Sequence, residues 1–408
     1  MRQSKLFTKT TKDNPKGEEA KNAQLLIRAG FINKEMAGVY SFLPLGLKVM
    51  KNIEEIIREE MNQTLEAQEI FMSALHPVEN YKKTGRDNID ILFDTKLATG
   101  RDLVLGQSHE EIVVPLVKNH LFSYRDLPFS VYQIQNKFRN ELRAKSGILR
   151  GREFLMKDLY SFHQDEEGLV DYYEKAKEAY KNIFEKVGIG DKTYLTFADG
   201  GTFSKYSHEF QTVTEAGEDL IYLCEDCNLA INEEIIEEQK SCPNCKKDKN
   251  KLVKKKSIEV GNIFKLKRKF SDPFDLSYTD EEGEEKPVYM GCYGIGVGRL
   301  MGSVVEINSD QKGMIWPESI APFKIHLIAI GEKAEEKAEE IYKNSEEEIL
   351  YDDRRGGVGE KFADADLIGL PYRIVISDKT LKEDSVEVKK RGQKEEKLVK
   401  IDNLQSYV

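Results

Sequence analysis

The sequence predicts a mixed helix-and-strand (α+β) protein of two or three domains that closes with a small α/β domain. Three observations lead there. At 408 residues the chain is too long for one ordinary hydrophobic core. Helical spacing of apolar residues occurs in two long segments, and shorter alternating segments lie between them. Beyond residue 321, strand-like and helix-like stretches alternate, as they do in a separate α/β unit.

The elements follow in order. From Leu47 to Met61 apolar residues recur at Leu47, Met50, Ile53, Ile57 and Met61, a helix opened by Gly46. A second helix runs from Glu166 to Val187, with Leu169, Tyr173, Ala176, Tyr180, Ile183 and Phe184 on one face and Gly188 as its stop. Val131–Phe138 and Phe154–Phe162 alternate as strands do. The run from Leu223 to Lys256 reads as an insertion, and a boundary follows between Trp316-Pro317 and Ala321-Pro322. After it come a strand over Phe323–Ile330, a helix over Glu332–Lys343, and strands over Tyr372–Ser377 and Leu398–Ile401. The expected domains are therefore 1–223, an insert at 224–256, a return to the first domain at 257–321, and 322–408.

Composition narrows the class. Hydrophobic residues make up 39% and charged residues 33%, as in a globular protein with a well-solvated surface. No apolar run approaches the ~20 residues of a membrane helix. The start lacks a secretory signal, and Asp13, Glu18 and Glu19 argue against a transit peptide, so the cytoplasm is the expected compartment. A net charge of −10 offers no global positive field, so any contact with nucleic acid must come from local clusters. Lys254–Lys256 and Lys265–Lys269 are such clusters, or simple solubility runs.

Three segments carry chemistry. In the first, Arg139 and Glu141 precede Arg150-Gly151-Arg152-Glu153-Phe154-Leu155-Met156-Lys157-Asp158. Strand side chains alternate faces, so Phe154, Met156, Asp158, Tyr160 and Phe162 share one face, with Arg150 at the entry. Pairing the two strands antiparallel gathers arginines, a carboxylate and aromatic rings on one floor. Guanidinium forks suit phosphate, and a ring suits a base. Taken singly, each charge is more simply a solvated surface residue. The second segment, Gly291-Cys292-Tyr293-Gly294-Ile295-Gly296-Val297-Gly298-Arg299, reads as a glycine-rich loop with its arginine at a helix start, or as a tight turn. It does not fit the dinucleotide fingerprint. The third, Gly106-Gln107-Ser108-His109-Glu110-Glu111, offers a hydroxyl and a carboxylate that could receive an ammonium or secondary amine. Ser108 as a helix N-cap fits equally well.

Four of the five cysteines, Cys224, Cys227, Cys242 and Cys245, form C-x2-C-x14-C-x2-C. That spacing suits one tetrahedral Zn²⁺, in a structural role because four thiolates leave no open position. Reduced cysteines or a redox dithiol are the alternatives.

Read together, these phrases resemble a known family. Phe138-Arg139-Asn140-Glu141 with Arg150, Phe154 and Asp158 matches motif 2 of class II aminoacyl-tRNA synthetases, and residues 291–299 resemble motif 3. Arg28-Ala29-Gly30-Phe31-Ile32, Tyr40-Ser41-Phe42-Leu43-Pro44-Leu45-Gly46, Tyr160-Ser161-Phe162-His163, Ser207-His208-Glu209-Phe210-Gln211 and Ile315-Trp316-Pro317 look like bacterial-type prolyl-tRNA synthetases, over nearly the whole chain. Ser108-His109-Glu110 resembles that family's Thr-His-Glu recognition loop, and the hydroxyl survives the exchange. One departure is Ser73, where motif 1 usually has proline, although Pro77 is kept; motif 1 builds the family's dimer interface.

The resemblance implies a mainly antiparallel catalytic sheet flanked by helices. It implies activation of L-proline with ATP and Mg²⁺, then transfer to tRNA(Pro), in a homodimer. Arg139, Glu141 and Arg299 form the implied catalytic set. Arg139 would serve the α-phosphate and reach proline, Arg150 and Arg299 the terminal phosphates, Phe154 the adenine face and Glu141 its amino group. Ser108 and Glu110 would hold the proline nitrogen, with Met156, Tyr160, Phe162, His208 and Cys292 about the pocket. Residues 322–408 resemble the anticodon-binding domain of class IIa synthetases, with Asp352, Asp353, Arg354 and Lys361 as the expected contacts. The cysteine insert stands where bacterial relatives commonly carry a large editing domain, which implies no cis hydrolysis of Ala-tRNA(Pro). A threonyl or glycyl synthetase is the nearer rival, and a non-catalytic tRNA-binding regulator the farther one.

Overall fold

The computed structural model of the chain describes residues 1–144 and 146–407. It divides into two compact units, Met36–Val39 with Glu54–Ser303, and Met1–Glu35 with Tyr40–Ile53 and Val304–Val408.

The larger unit is built on a nine-stranded sheet. Its order is Tyr206–Val213, Thr193–Asp199, Leu229–Asn232, Asp219–Cys224, Val253–Lys267, Tyr289–Gly296, Glu153–His163, Phe129–Phe138 and Gln68–Glu69. Most pairs are antiparallel, as expected, but Leu229–Asn232 runs parallel to Thr193–Asp199, and Gln68–Glu69 parallel to Phe129–Phe138. The helix Glu166–Lys186 packs across three central strands. It begins where the Asp165 carboxylate accepts from the Gly168 amide at 2.8 Å. Leu169, Tyr173, Ala176, Tyr180, Ile183 and Phe184, the face read from the sequence, are all buried. Lys157 points to the helix side of the sheet, where its ammonium donates to Tyr180 Oη at 2.6 Å. Its neighbours Met156 and Asp158 therefore point to the opposite face. The two strands that flank the first cysteine pair, Asp219–Cys224 and Leu229–Asn232, join this same sheet.

The glycine-rich segment is corrected by the structure. It is a strand, Tyr289–Gly296, paired along its whole length with Glu153–His163 and over Met290–Gly294 with Val253–Lys267, and the helix Val297–Ile307 follows directly. Glycines carry no side chain whose alternation would reveal a strand, which is why the sequence reads as a loop. A Cβ on Gly291 would lie 2.2 Å from Tyr293 Oη.

The second unit carries a five-stranded sheet in the order Ile349–Asp352, Ile325–Ile330, Tyr372–Ser377, Ser385–Lys390, Lys397–Lys400. The first three strands are parallel and the last two antiparallel. Helices Glu332–Asn344 and Val358–Ile368 belong to it. The predicted helix near Leu47 begins earlier, at Pro44, and holds Gly46 inside it because a Cβ there would meet the Phe31 carbonyl oxygen at 2.1 Å. Among the described residues no helix is long and apolar enough to cross a membrane.

Candidate functional site

Strand register builds the floor of the site. Gln133 pairs with Asp158, Asp158 with Gly294, and Gly294 with Asn262, a row across four strands. The next row is Val131, Tyr160, Cys292 and Phe264. Above these rows opens a cavity lined by Ser108, Glu110, Arg139, Glu141, Arg150, Phe154, Met156, Asp158, Tyr160, Cys292 and Arg299 among others. Three arginines distant in sequence thus share one space.

Their electrostatic states differ. Arg150 donates from Nε and Nη2 to Glu141 Oε2 at 3.0 and 2.8 Å. Arg299 donates to the Leu149 carbonyl at 2.8 Å and to Glu259 Oε2 at 3.0 Å. Arg139 has no carboxylate in ion-pair range among the described residues; its Nε reaches the Gln107 carbonyl at 3.4 Å and its guanidinium lies 5.1 Å from the centre of the Phe154 ring. Desolvation, then the neighbouring Arg299, push its pKa below the ordinary arginine value. This is a cation with an unfilled anion requirement.

On the cavity face of the floor, Lys137 and Asp158 form a buried pair at 2.7 Å. Burial alone would raise the Asp158 carboxyl, but Lys137 and His109 hold it below its usual range. Asp158 Oδ2 also accepts from Gln133 Nε2 and Tyr160 Oη, both at 3.0 Å, and Tyr160 Oη accepts from the His109 amide at 2.9 Å. The charged network thereby ties the floor to the Ser108–Glu110 segment.

The helix-cap reading of Ser108 is not met. The helix starts at Glu110, His109 occupies the N-cap without a side-chain bond, and Ser108 caps nothing. Instead Ser108 Oγ accepts from Gln107 Nε2 at 2.9 Å, and Glu110 Oε1 accepts from Cys292 Sγ at 3.1 Å. Both acceptors open on the cavity. Burial, then Glu110, push the Cys292 thiol well above its ordinary pKa, so it stays a protonated donor.

Two expected wall residues stand elsewhere. Phe162 shares the alternation of Phe154 to Tyr160, but at its end of the strand the cavity has given way to core, and it stacks on Phe129 at 4.9 Å. His208 does not line the cavity either; its Nδ1 lies 2.9 Å from Tyr173 Oη on the long helix. The structure adds residues that the sequence reading passed over: Glu259, Gly261 and Asn262 on the strand Val253–Lys267, and Phe203. Their signal was a carboxylate, a glycine and an amide interrupting an apolar strand, next to lysines read as an insert's tail. Lys254 and Lys256 themselves pair with Glu233 and Glu215.

The four cysteines converge. Their sulfurs lie within 4.8 Å of one another, with Cys224–Cys245 at 3.4 Å and Cys227–Cys242 at 3.6 Å. A disulfide needs about 2.05 Å, while tetrahedral ligands at about 2.3 Å from one Zn²⁺ stand roughly 3.8 Å apart. The two turns are alike: the residue after each second cysteine, Asn228 and Lys246, is left-handed, and its amide donates to the first cysteine's carbonyl at 2.8 and 3.0 Å. The donor set fits a closed metal knuckle. Cys224 and Cys242 pack with Ile231, Ile235, Ile236 and Leu252, so the knuckle has its own small core.

In the second unit, Asp352 is buried and accepts a bidentate pair from Arg354 at 2.8 Å to each oxygen. Arg354 also meets Asp364 at 2.8 Å. Asp353 accepts from the Ser4 hydroxyl at 2.6 Å, and Lys361 donates to the Asp352 carbonyl at 3.2 Å. Asp353, Arg354 and Lys361 line a common cavity with Arg355.

Comparisons with known proteins agree with this geometry. Residues 93–308 match the tRNA synthetase class II core domain (G, H, P, S and T), and residues 324–408 match the anticodon binding domain. A proline–tRNA ligase of Wolbachia sp. subsp. Drosophila simulans is 40% identical over 98% of both chains. One from Staphylococcus haemolyticus is 33% identical and covers 100% of this chain and 99% of its own. That alignment spans 563 positions against this chain's 408 residues, so at least 155 of its positions have no counterpart here. The fold is similar to the solved prolyl-tRNA synthetase of Cryptosporidium parvum in complex with L-proline and AMP, with TM-score 0.77 and 16% identity over 95% of this chain and 73% of that one. With a matched core over more than half its length and relatives aligned end to end, the chain belongs to the proline–tRNA ligase family of class II aminoacyl-tRNA synthetases.

Proposed function

We propose that the cavity activates L-proline with ATP and passes it to tRNA(Pro), with a definite division of labour among its residues. The observation that carries this is the Arg139 guanidinium, without a carboxylate partner among the described residues, in one cavity with a ring, Phe154, and an amine-accepting end, Ser108 with Glu110. The enzyme is a proline–tRNA ligase.

A proline carboxylate oxygen attacks the α-phosphorus, forming the O–P bond of prolyl-adenylate as the bond to pyrophosphate breaks. The terminal ribose hydroxyl of tRNA then attacks the prolyl carbonyl, and AMP leaves. No side-chain nucleophile is required, so the rate comes from placement and charge stabilisation. Arg139 serves the α-phosphate and neighbours the proline carboxylate. Arg150 and Arg299, already oriented by Glu141 and Glu259, face the terminal phosphates. Phe154 carries the adenine, and Glu141 accepts from its amino group. Glu110 and Ser108 take the two protons of the secondary ammonium, while Met156, Tyr160 and Cys292 close the wall. The two lone pairs of Ser108 Oγ already accept from Gln107 and Arg86, so it releases the bond from Gln107 Nε2 to take its proton. Glu259 and Asp219, which rim an adjoining pocket with Arg299, would hold a Mg²⁺ brought in with ATP, which would supply neutralisation of phosphate charge.

Further parts of the reading rest on the family. Asp353, Arg354 and Lys361 contact anticodon bases, with Asp352 holding Arg354 in place. Cys224, Cys227, Cys242 and Cys245 hold a structural Zn²⁺. The domains are 1–223 with 257–321 for catalysis, 224–256 as insert and 322–408 for the anticodon; the protein is a cytoplasmic homodimer. The unmatched stretch of the Staphylococcus relative supports the absence of an editing domain, so preformed Ala-tRNA(Pro) should hydrolyse no faster with the enzyme than without it.

Proline-dependent ATP–pyrophosphate exchange tests the whole reading. Exchange with threonine or glycine in place of proline would reassign the substrate, and tRNA binding without any exchange would make the chain a regulator.

A further inference from the structure

We infer that Arg86, which lies outside the cavity lining, is a positioning residue that sets the geometry and charge of the proline-ammonium acceptor. The inference rests on the assignment of Ser108 and Glu110 to that ammonium. Arg86 is 4% exposed, and its side chain meets three residues of the acceptor segment at once. Its Nη2 donates to Ser108 Oγ at 3.3 Å; its Nη1 lies 3.4 Å from Glu110 Oε2 and 3.0 Å from Glu111 Oε1.

The local sequence explains how it gets there. The helix Val78–Thr84 ends at Gly85, which is left-handed at φ +70°, and the Arg86 amide donates to the Tyr81 carbonyl at 2.9 Å. That turn sends the guanidinium under the acceptor segment. The same helix end adds two struts: Thr84 Oγ1 donates to Glu111 Oε1 at 2.9 Å and Asn80 Nδ2 to the Glu111 carbonyl at 2.8 Å. Phe203 and Phe270 cover the guanidinium at 4.8 and 5.3 Å, so little solvent competes with its bonds.

Charge balance gives the arrangement its purpose. Glu110 and Glu111 are both fully buried neighbours. Two bare carboxylates in such a place repel one another, and one would take up a proton. One guanidinium against two carboxylates leaves a single net negative charge, which is what one secondary ammonium neutralises. Burial still pushes the Glu111 carboxyl up to about 7, with Arg86 the strongest opposing influence. Arg86 thereby offsets one of the two carboxylate charges and holds Ser108 Oγ and Glu110 Oε2 in place without touching substrate.

The test uses the full-length enzyme and pyrophosphate exchange with proline and ATP varied separately. Arg86→Met should raise the proline KM by at least about tenfold while the ATP KM stays within about twofold, since the arginines at the phosphate end are untouched. Arg86→Lys, which keeps charge but loses the fork, should recover part of that loss. Thermal stabilisation by ATP alone should match the unaltered enzyme in both variants. An unchanged proline KM in either folded variant overturns the inference. So does a parallel loss of proline KM, ATP KM and ATP-induced stabilisation, which would make Arg86 a residue of folding only. If Arg86→Met does not fold, Arg86→Lys decides alone: a several-fold rise in proline KM at constant ATP KM supports the role, and no rise refutes it. Absence of proline-dependent exchange in the unaltered enzyme is a different result, and it sinks the assigned activity and this role together.

Discussion

Replacing Arg139 by alanine separates function from stability in one residue. In the free enzyme this guanidinium has no carboxylate partner among the described residues, only a long bond to the Gln107 carbonyl at 3.4 Å and the Phe154 ring. Losing the ring contact costs about 0.5–2 kcal/mol. Removing a partly desolvated, unpaired cation beside Arg299 returns a similar amount, so the folding free energy should change by no more than about 1 kcal/mol. Activity should respond very differently. A fork on phosphate makes two charge-assisted hydrogen bonds of about 1.5–3 kcal/mol each, together about 3–6 kcal/mol. At 1.36 kcal/mol per decade this is a loss of roughly 10²- to 10⁴-fold in kcat/KM for exchange. Arg139→Lys should fall between, keeping charge but not geometry. Exchange and denaturant unfolding measured on the same preparations provide the check. Exchange within tenfold of the unaltered enzyme would refute the reasoning, and so would a stability loss above about 3 kcal/mol, which would show the arginine to be structural.

The buried charges and the cysteine knuckle carry further predictions. Lys137→Met strips the partner from buried Asp158 and should cost about 3–5 kcal/mol in unfolding free energy; an unchanged denaturation midpoint would contradict it. Purified protein should carry one tightly held Zn²⁺ per chain, lost in Cys242→Ser with new protease cleavage between residues 224 and 252; four freely titrating thiols without metal would contradict this. Acid should destabilise the fold. Burial lowers His76, His163 and His326 to about 4 and His109 and His208 to about 3, so the unfolded chain binds more protons below pH 6.5. Their stabilisation is complete above that pH and is lost as pH falls toward the folded values, about 2 kcal/mol each by pH 5. Burial also raises Glu111 to about 7 and Glu209 to about 8, which gives stability back as pH falls, yet two gains of similar size do not offset five losses. A melting temperature that rises between pH 7 and pH 5 would overturn that balance.

How far the sequence could be read depended on whether a residue's role was local. The floor strands and the long helix were legible because alternation and helical spacing are short-range signals: Phe154, Met156, Asp158 and Tyr160 do share the cavity face. The cysteine pattern was legible for the same reason. Phe162 shows the limit, since alternation predicts which face a residue takes but not where along the strand the cavity ends. The strand Tyr289–Gly296 was hidden by its own glycines. Glu259 and Asn262 follow directly on a lysine run assigned to the insert's end, so the single strand Val253–Lys267 that carries them across that boundary was not legible. Arg86 had no pattern at all: a single arginine after a glycine becomes meaningful only when the fold brings it to Ser108, 22 residues on.

The most direct measurement of the central claim is a crystal structure with a non-hydrolysable prolyl-adenylate analogue. The account predicts phosphoryl oxygens within hydrogen-bond distance of the Arg139 guanidinium, the adenine on Phe154, and the pyrrolidine nitrogen between Ser108 Oγ and the Glu110 carboxylate. An analogue bound elsewhere, or bound here with its phosphoryl group turned away from Arg139, would contradict it.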